Sequence, residues 1–166
     1  PPLPLEIREY NDVQDLELSG YSGAEAQIAS LADDIAYSNH DTDDGLKTGL
    51  ISVGDMMENV AFFKNHYERV KREYPAVEHS RIVAETVRRM INDMILDVAD
   101  TTRANLEALR PERVEDIRGC GRPVVAFSEN MKSQMQSLKD FLFPNMYRHY
   151  KINQMTSKGK RIVKDL

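Results

Sequence analysis

Leu31-Ala32-Asp33-Asp34-Ile35-Ala36-Tyr37-Ser38-Asn39-His40-Asp41 is the stretch on which the reading of this 166-residue chain turns. Around it, Ala26, Ile28, Leu31, Ala32, Ile35 and Ala36 recur at three- and four-residue steps, the period of a helix with one apolar stripe. Ser22, followed three residues later by Glu25, has the pattern of a capping box, so the spacing predicts a helix from Gly23 to about Asn39. Gly45 and Gly49 are expected to interrupt a short amphipathic turn over Asp43 to Leu50.

Outward from that helix the helical period continues. Ser52 is a cap for a short piece holding Met56 and Met57, and Asn59 to Arg72 carries Val60, Phe63, Tyr67 and Val70 on one face, with Pro75 beyond its end. The segment from Glu78 to Leu106 sets Ile82, Val83, Val87, Met90, Ile91, Met94, Ile95 and Val98 at helical steps and reads as the central core helix. Arg110-Pro111 and Gly119 to Pro123 mark a connector. Ser128 then caps a helix with Met131, Met135, Leu138 and Leu142 as its stripe, and a last helix is expected from about Lys151. Residues 1–20, rich in proline at the start, read as an extended arm that leans on something else. Alternating β-branched runs are absent, so the expected fold class is all-α, an irregular assembly of about six helices in one unit spanning 1–166. Within it the arm covers 1–20, the helix and turn with the chemistry 21–50, and the helical remainder 51–166.

Composition narrows the function classes. A net charge of −5 advertises neither a nucleic-acid nor a membrane surface, but the charge is unevenly spread. Residues 1–60 hold thirteen acidic and two basic side chains, whereas 147–166 holds six Lys or Arg against Asp165. Cys120 is the only cysteine, which excludes an internal disulfide and a thiolate cluster and suits the reducing cytoplasm. No apolar run approaches the roughly 20 residues of a membrane helix. The first residue is Pro1 rather than Met, as expected of a piece of a longer protein.

Steps of four advance about 40° around a helix, so Asp33, Tyr37 and Asp41 share one face. Asp33 stands among Leu31, Ala32, Ile35 and Ala36, where an ionised carboxylate calls for a compensating cation or donor, and a metal ion is one. A solvated acidic face with Tyr37 laid along it is the other reading of the same residues.

The run Glu25-Ala26-Gln27, Leu31-Ala32-Asp33-Asp34-Ile35-Ala36-Tyr37 and His40-Asp41-Thr42-Asp43-Asp44-Gly45 closely resembles the signature of bacterial dGTPase-like deoxynucleotide triphosphohydrolases of the HD superfamily. More weakly, Arg118 to Phe127 and Leu138 to His149 resemble that family's C-terminal region. The resemblance implies the C-terminal part of an HD-domain fold and an enzyme that converts a dNTP, dGTP among them, and water to the deoxynucleoside and triphosphate. It implies a divalent metal, with Mg, Mn, Fe, Co and Ni not distinguished, and metal-bound water or hydroxide attacking the α-phosphorus. On this match Asp33 is a metal ligand, Tyr37 packs where a ribose 2′-hydroxyl would project, and Asp41 accepts from the sugar 3′-hydroxyl.

His40-Asp41 is a literal His-Asp pair, yet the register makes Asp41 the sugar ligand. The family's metal-binding His and HD dyad are expected in an upstream segment of the same protein. His66, His79 and His149 read as surface or hydrogen-bonded helix residues rather than ligands. This chain alone is therefore expected to be inactive. A homo-oligomer in the cytoplasm is the expected setting. An alternative is a helical oligomerisation module built on the long helix and the arm. A third is a regulatory nucleotide or single-stranded nucleic-acid site on the basic tail from Lys158 to Lys164, where aromatic residues for stacking are few.

Overall fold

The computed structural model describes residues 3–165, with the backbone alone at 151 and 152; Pro1 and Pro2, the start of the predicted arm, lie outside the described residues. Within them the chain is all-α and has no strand, as its periodicity implies. The order is α1 (Leu5–Val13), α2 (Ala24–Thr48), α3 (Val53–Asn59), α4 (Ala61–Glu73), α5 (His79–Leu109), α6 (Val114–Arg118), α7 (Glu129–Leu142), a π-helical turn (Phe143–Tyr147) and α8 (Tyr150–Asp165).

The core lies where α4, α5, α7 and the inner face of α2 meet. Met56, Phe63, Met90, Met94, Leu138 and Leu142 are wholly buried there. Methionine is frequent among them, and its unbranched, polarizable chain fills the irregular gaps between helices that cross without a regular repeat. Pro75 lies in the short connection between α4 and α5, which pack on each other. Arg89 of α5 ties them by binding Glu73 of α4 and Glu85 of its own helix, at 2.5 and 2.8 Å. Ser128 caps α7 as expected, accepting from Met131 N, and is itself anchored by Asp97 of α5, which takes its N–H at 2.8 Å and its hydroxyl at 2.6 Å.

Four expectations need correction. The arm is not wholly extended: Leu5–Val13 is helical, entered through Pro4, whose fixed φ of −52° leads the chain into the first turn, and none of its residues is buried. The capping box at Ser22 is not formed. Gly23 is the cap residue, without a side-chain bond, and Ser22 instead offers its carbonyl to Gln27 Nε2 at 2.7 Å. The helix does not stop near Asn39 but runs to Thr48, because Gly45 is an interior helical residue that lets Ile51 come close. A Cβ there would stand 2.9 Å from Ile51 side-chain carbons. The helix ends at Gly49, whose φ of 68° favours glycine. Finally, Asn59 to Arg72 is not one helix from its first residue: buried Val60, in extended conformation, separates α3 from α4. The connector also holds the short helix α6, whose start is fixed by Asp116 accepting from the backbone of Glu112 and Arg113.

Candidate functional site

Along α2 the polar residues divide into two strips. Gln27, Ser38, Asn39 and Thr42 are buried against the core, while Asp33, Tyr37 and Asp41 follow one another on the open side. The structure therefore brings the three predicted site residues together on one strip. Of the two settings the sequence left open for Asp33, the structure shows the solvated one: Asp33 is exposed, as are Ala32 and Ala36, while Ile35 turns inward and is buried. The Asp33 carboxylate therefore sits in water. Asp34 turns the other way, to Lys139 of α7 at 3.1 Å.

Tyr37 is 59% exposed, and its ring centroid lies 6.0 Å from that of Tyr147. The Tyr147 hydroxyl donates to Asp41 Oδ2, across 106 residues of sequence. Burial, and then this bond to the Asp41 carboxylate, hold the Tyr147 phenol far above its ordinary pKa, so it is a fixed proton donor at neutral pH. Asp41 thus has Oδ2 engaged by Tyr147, whose ring neighbours that of Tyr37, and Oδ1 remains as an acceptor. Such a combination can accept a hydroxyl proton from a ligand and lay a flat apolar surface beside it.

Tyr147 is the site residue that the sequence did not give a role. The π-helical turn carries it: Pro144 has no N–H for the α ladder, and the chain closes instead with Arg148 N donating to Phe143 O at 3.1 Å. The signal was a proline two residues after a helical apolar stripe ends, and π turns of this kind often re-aim a side chain at a functional position.

A metal ion finds no complete set of ligands here. Among the described residues no three His, Cys, Asp or Glu side chains are grouped to hold one. Asp33 can supply a single carboxylate oxygen, which does not make a coordination sphere. His40 is exposed beside Asp41. The other histidines have partners elsewhere. His66 is buried with Nε2 at 3.3 Å from Asp93 Oδ2, His79 Nδ1 meets the Tyr67 hydroxyl at 3.2 Å, and the His149 ring lies 4.8 Å from that of Tyr150. Burial holds His66 below its usual pKa, against the opposing pull of Asp93. No described helix is long and apolar enough to cross a membrane.

A family model described as a phosphohydrolase-associated domain matches residues 125–166. The chain is 47% identical over 164 residues to a deoxyguanosinetriphosphate triphosphohydrolase-like protein of Parvibaculum lavamentivorans, an alignment covering 99% of this chain and 41% of that protein. A protein of the same description from Mesorhizobium japonicum is 40% identical over 165 residues, covering 99% of this chain and 41% of its own length. One from Thiobacillus denitrificans is 47% identical over 142 residues, or 86% of this chain and 37% of the relative. The chain spans about two fifths of the length of the curated relatives it matches.

Proposed function

We propose that this chain is the C-terminal part of a protein of the deoxyguanosinetriphosphate triphosphohydrolase-like kind, and that the whole protein hydrolyses a dNTP to the deoxynucleoside and inorganic triphosphate. This chain's contribution is the wall that reads the sugar. The observation that carries the reading is the Tyr147–Asp41 hydrogen bond beside the open Tyr37 ring. Asp41 Oδ1 accepts from the 3′-hydroxyl, and Tyr37 occupies the space a 2′-hydroxyl would need, so a ribonucleotide meets both a clash and an unpaired polar group. Tyr147 is a positioning residue that fixes the Asp41 carboxylate. Asp33 gives one oxygen to a divalent metal whose other ligands come from the part of the relatives that this chain does not match. The protein acts in the cytoplasm as a homo-oligomer.

The test uses protein extended to its relatives' full length. With dGTP it releases inorganic triphosphate in one step. Asp41→Ala lowers kcat/KM by about a hundredfold, and Tyr37→Ala raises the use of GTP relative to dGTP. Asp33→Ala lowers the metal content of the purified protein, measured by elemental analysis. The 166-residue chain alone gives no multiple turnovers with any added divalent metal. Stepwise release of phosphate, or an unchanged rate in Asp41→Ala, would overturn the reading.

A second reading rests on α8. Met155, Ile162 and Val163 lie exposed along it, beside Lys158, Lys160, Arg161 and Lys164. An uncovered basic amphipathic helix suits assembly or a regulatory partner. A monodisperse oligomer of the chain in light scattering, disrupted by Ile162→Asp, is its expected signature.

A further inference from the structure

A cleft of about 740 Å³ lies between the start of α2, the C-terminal half of α5, the connector over 122–128 and α7. Its size is that of an ordinary small-molecule site. Neither Asp33, Tyr37, Asp41 nor Tyr147 lines it, so it is separate from the sugar-reading strip and its occupancy does not depend on the function proposed above.

Its lining is divided by chemistry. Leu31 and Phe127 offer an apolar surface backed by buried Val125 and Met135, and Arg122, Lys132 and Lys139 bring three cations. Two of those cations stand near carboxylates, Lys139 with Asp34 at 3.1 Å and Lys132 at 3.8 Å from Glu129. Arg122 differs. Its Nη1 donates to Asn105 Oδ1 at 2.9 Å, and Asn105 is itself held by donating from Nδ2 to the Val124 carbonyl at 2.9 Å. A neutral amide fixes the direction of the guanidinium without cancelling its charge. Most of its N–H donors remain for an anion, in the fork geometry that suits a phosphate oxygen pair.

We propose that this cleft binds an organic phosphate of about nucleotide size, with the phosphate on Arg122 and a flat apolar group on Leu31 and Phe127. A long surface cation paired with a nearby acid needs no ligand to explain it; an arginine buttressed by an amide at the mouth of an apolar cleft is better explained by one.

The test is calorimetric titration of the chain carrying Tyr37→Ala and Asp41→Ala, which disables the sugar-reading strip. The probes are dATP, inorganic triphosphate and adenosine. We expect dATP to bind more tightly than either of its parts, and Arg122→Ala to weaken dATP binding by about tenfold or more. Arg122→Lys should retain part of the affinity, and circular dichroism of each variant checks that the helices persist. Absence of dATP binding, equal binding by Arg122→Ala, or inorganic triphosphate binding as tightly as dATP overturns the proposal. Binding of dATP by the wild type that disappears in the Tyr37→Ala, Asp41→Ala background also overturns it, while leaving the sugar-reading strip standing.

Discussion

The two sides of α2 use their polar residues in opposite ways. On the inner side the buried side chains bond within the chain, with Asn39 Oδ1 left without a partner among the described residues. Gln27 Oε1 accepts from Val124 N and Val125 N at 2.9 and 3.0 Å, Thr42 donates to Ser38 O, and Asn39 donates to Ile35 O and approaches Met94 Sδ. On the outer side Asp33 and Tyr37 stand in the open, and Tyr37 and Asp41 meet Tyr147 of a distant segment. Inner polar groups hold the connector and neighbouring helices in place. Outer ones contribute little to the fold.

That contrast is broken most directly through Gln27. Replacing it with alanine leaves two buried backbone N–H groups without an acceptor, and we expect Gln27→Ala to lose about 3 kcal/mol of unfolding free energy. Asp33→Asn and Tyr37→Phe should each stay within about 0.5 kcal/mol of the wild type. Urea denaturation followed by circular dichroism measures all three. Comparable losses on both sides would end the distinction. A smaller effect is expected at Gly45. Alanine gains up to about 1 kcal/mol of helix propensity, but its Cβ would overlap Ile51, which is 4% exposed and cannot withdraw freely. The net expectation for Gly45→Ala is a loss of about 1 kcal/mol, read in the same experiment; a gain would mean that Ile51 repacks.

What could be read from sequence follows the range of the interaction. The stripes of α4, α5 and α7 and the Ser128 cap depend on neighbours within a few residues, and all three helices stand close to where periodicity puts them. Asp33, Tyr37 and Asp41 share a strip for the same reason: a helix converts a step of four into a common face. The misses are tertiary. Gly45 resembles a helix breaker until Ile51 and Met146 are seen against it. Tyr147 looked like a residue at a helix end because its partner Asp41 belongs to another helix. The exposure of Asp33 stayed open in the sequence because apolar neighbours along the chain need not be covered neighbours in space.

Acid should expose a weak point on the inner side of the molecule, far from the outer strip. His66 is buried between α4 and α5, facing Asp93, with Arg69 and Arg89 nearby and Phe62 against its ring. Burial lowers its pKa in the folded state, Asp93 raises it in part, and the two arginines add to the lowering. A folded pKa below the unfolded value of about 6.5 means that the unfolded chain takes up the proton first. His66 should therefore cost nothing at neutral pH, and stability should fall as pH drops from about 6.5 through the lowered folded value. A His66→Gln variant should show a flatter dependence over that window, and identical slopes would assign the acid sensitivity to other groups.

The sharpest test of the comparison comes from Tyr147→Phe. The substitution keeps the ring beside Tyr37 and removes only the hydroxyl bound to Asp41, so unfolding free energy should change by no more than about 1 kcal/mol. Asp41 keeps its charge and its place on α2 but loses the donor that orients it. In the full-length protein we expect kcat/KM for dGTP to fall about tenfold, less than the loss in Asp41→Ala, with discrimination against a 3′-deoxy substrate reduced in step. A merely structural hydroxyl would lower stability and leave that discrimination unchanged. Loss of 3′-hydroxyl selectivity at nearly constant stability is the result only a positioning role produces, and it would place one residue of α2's outer strip under the control of the turn after α7.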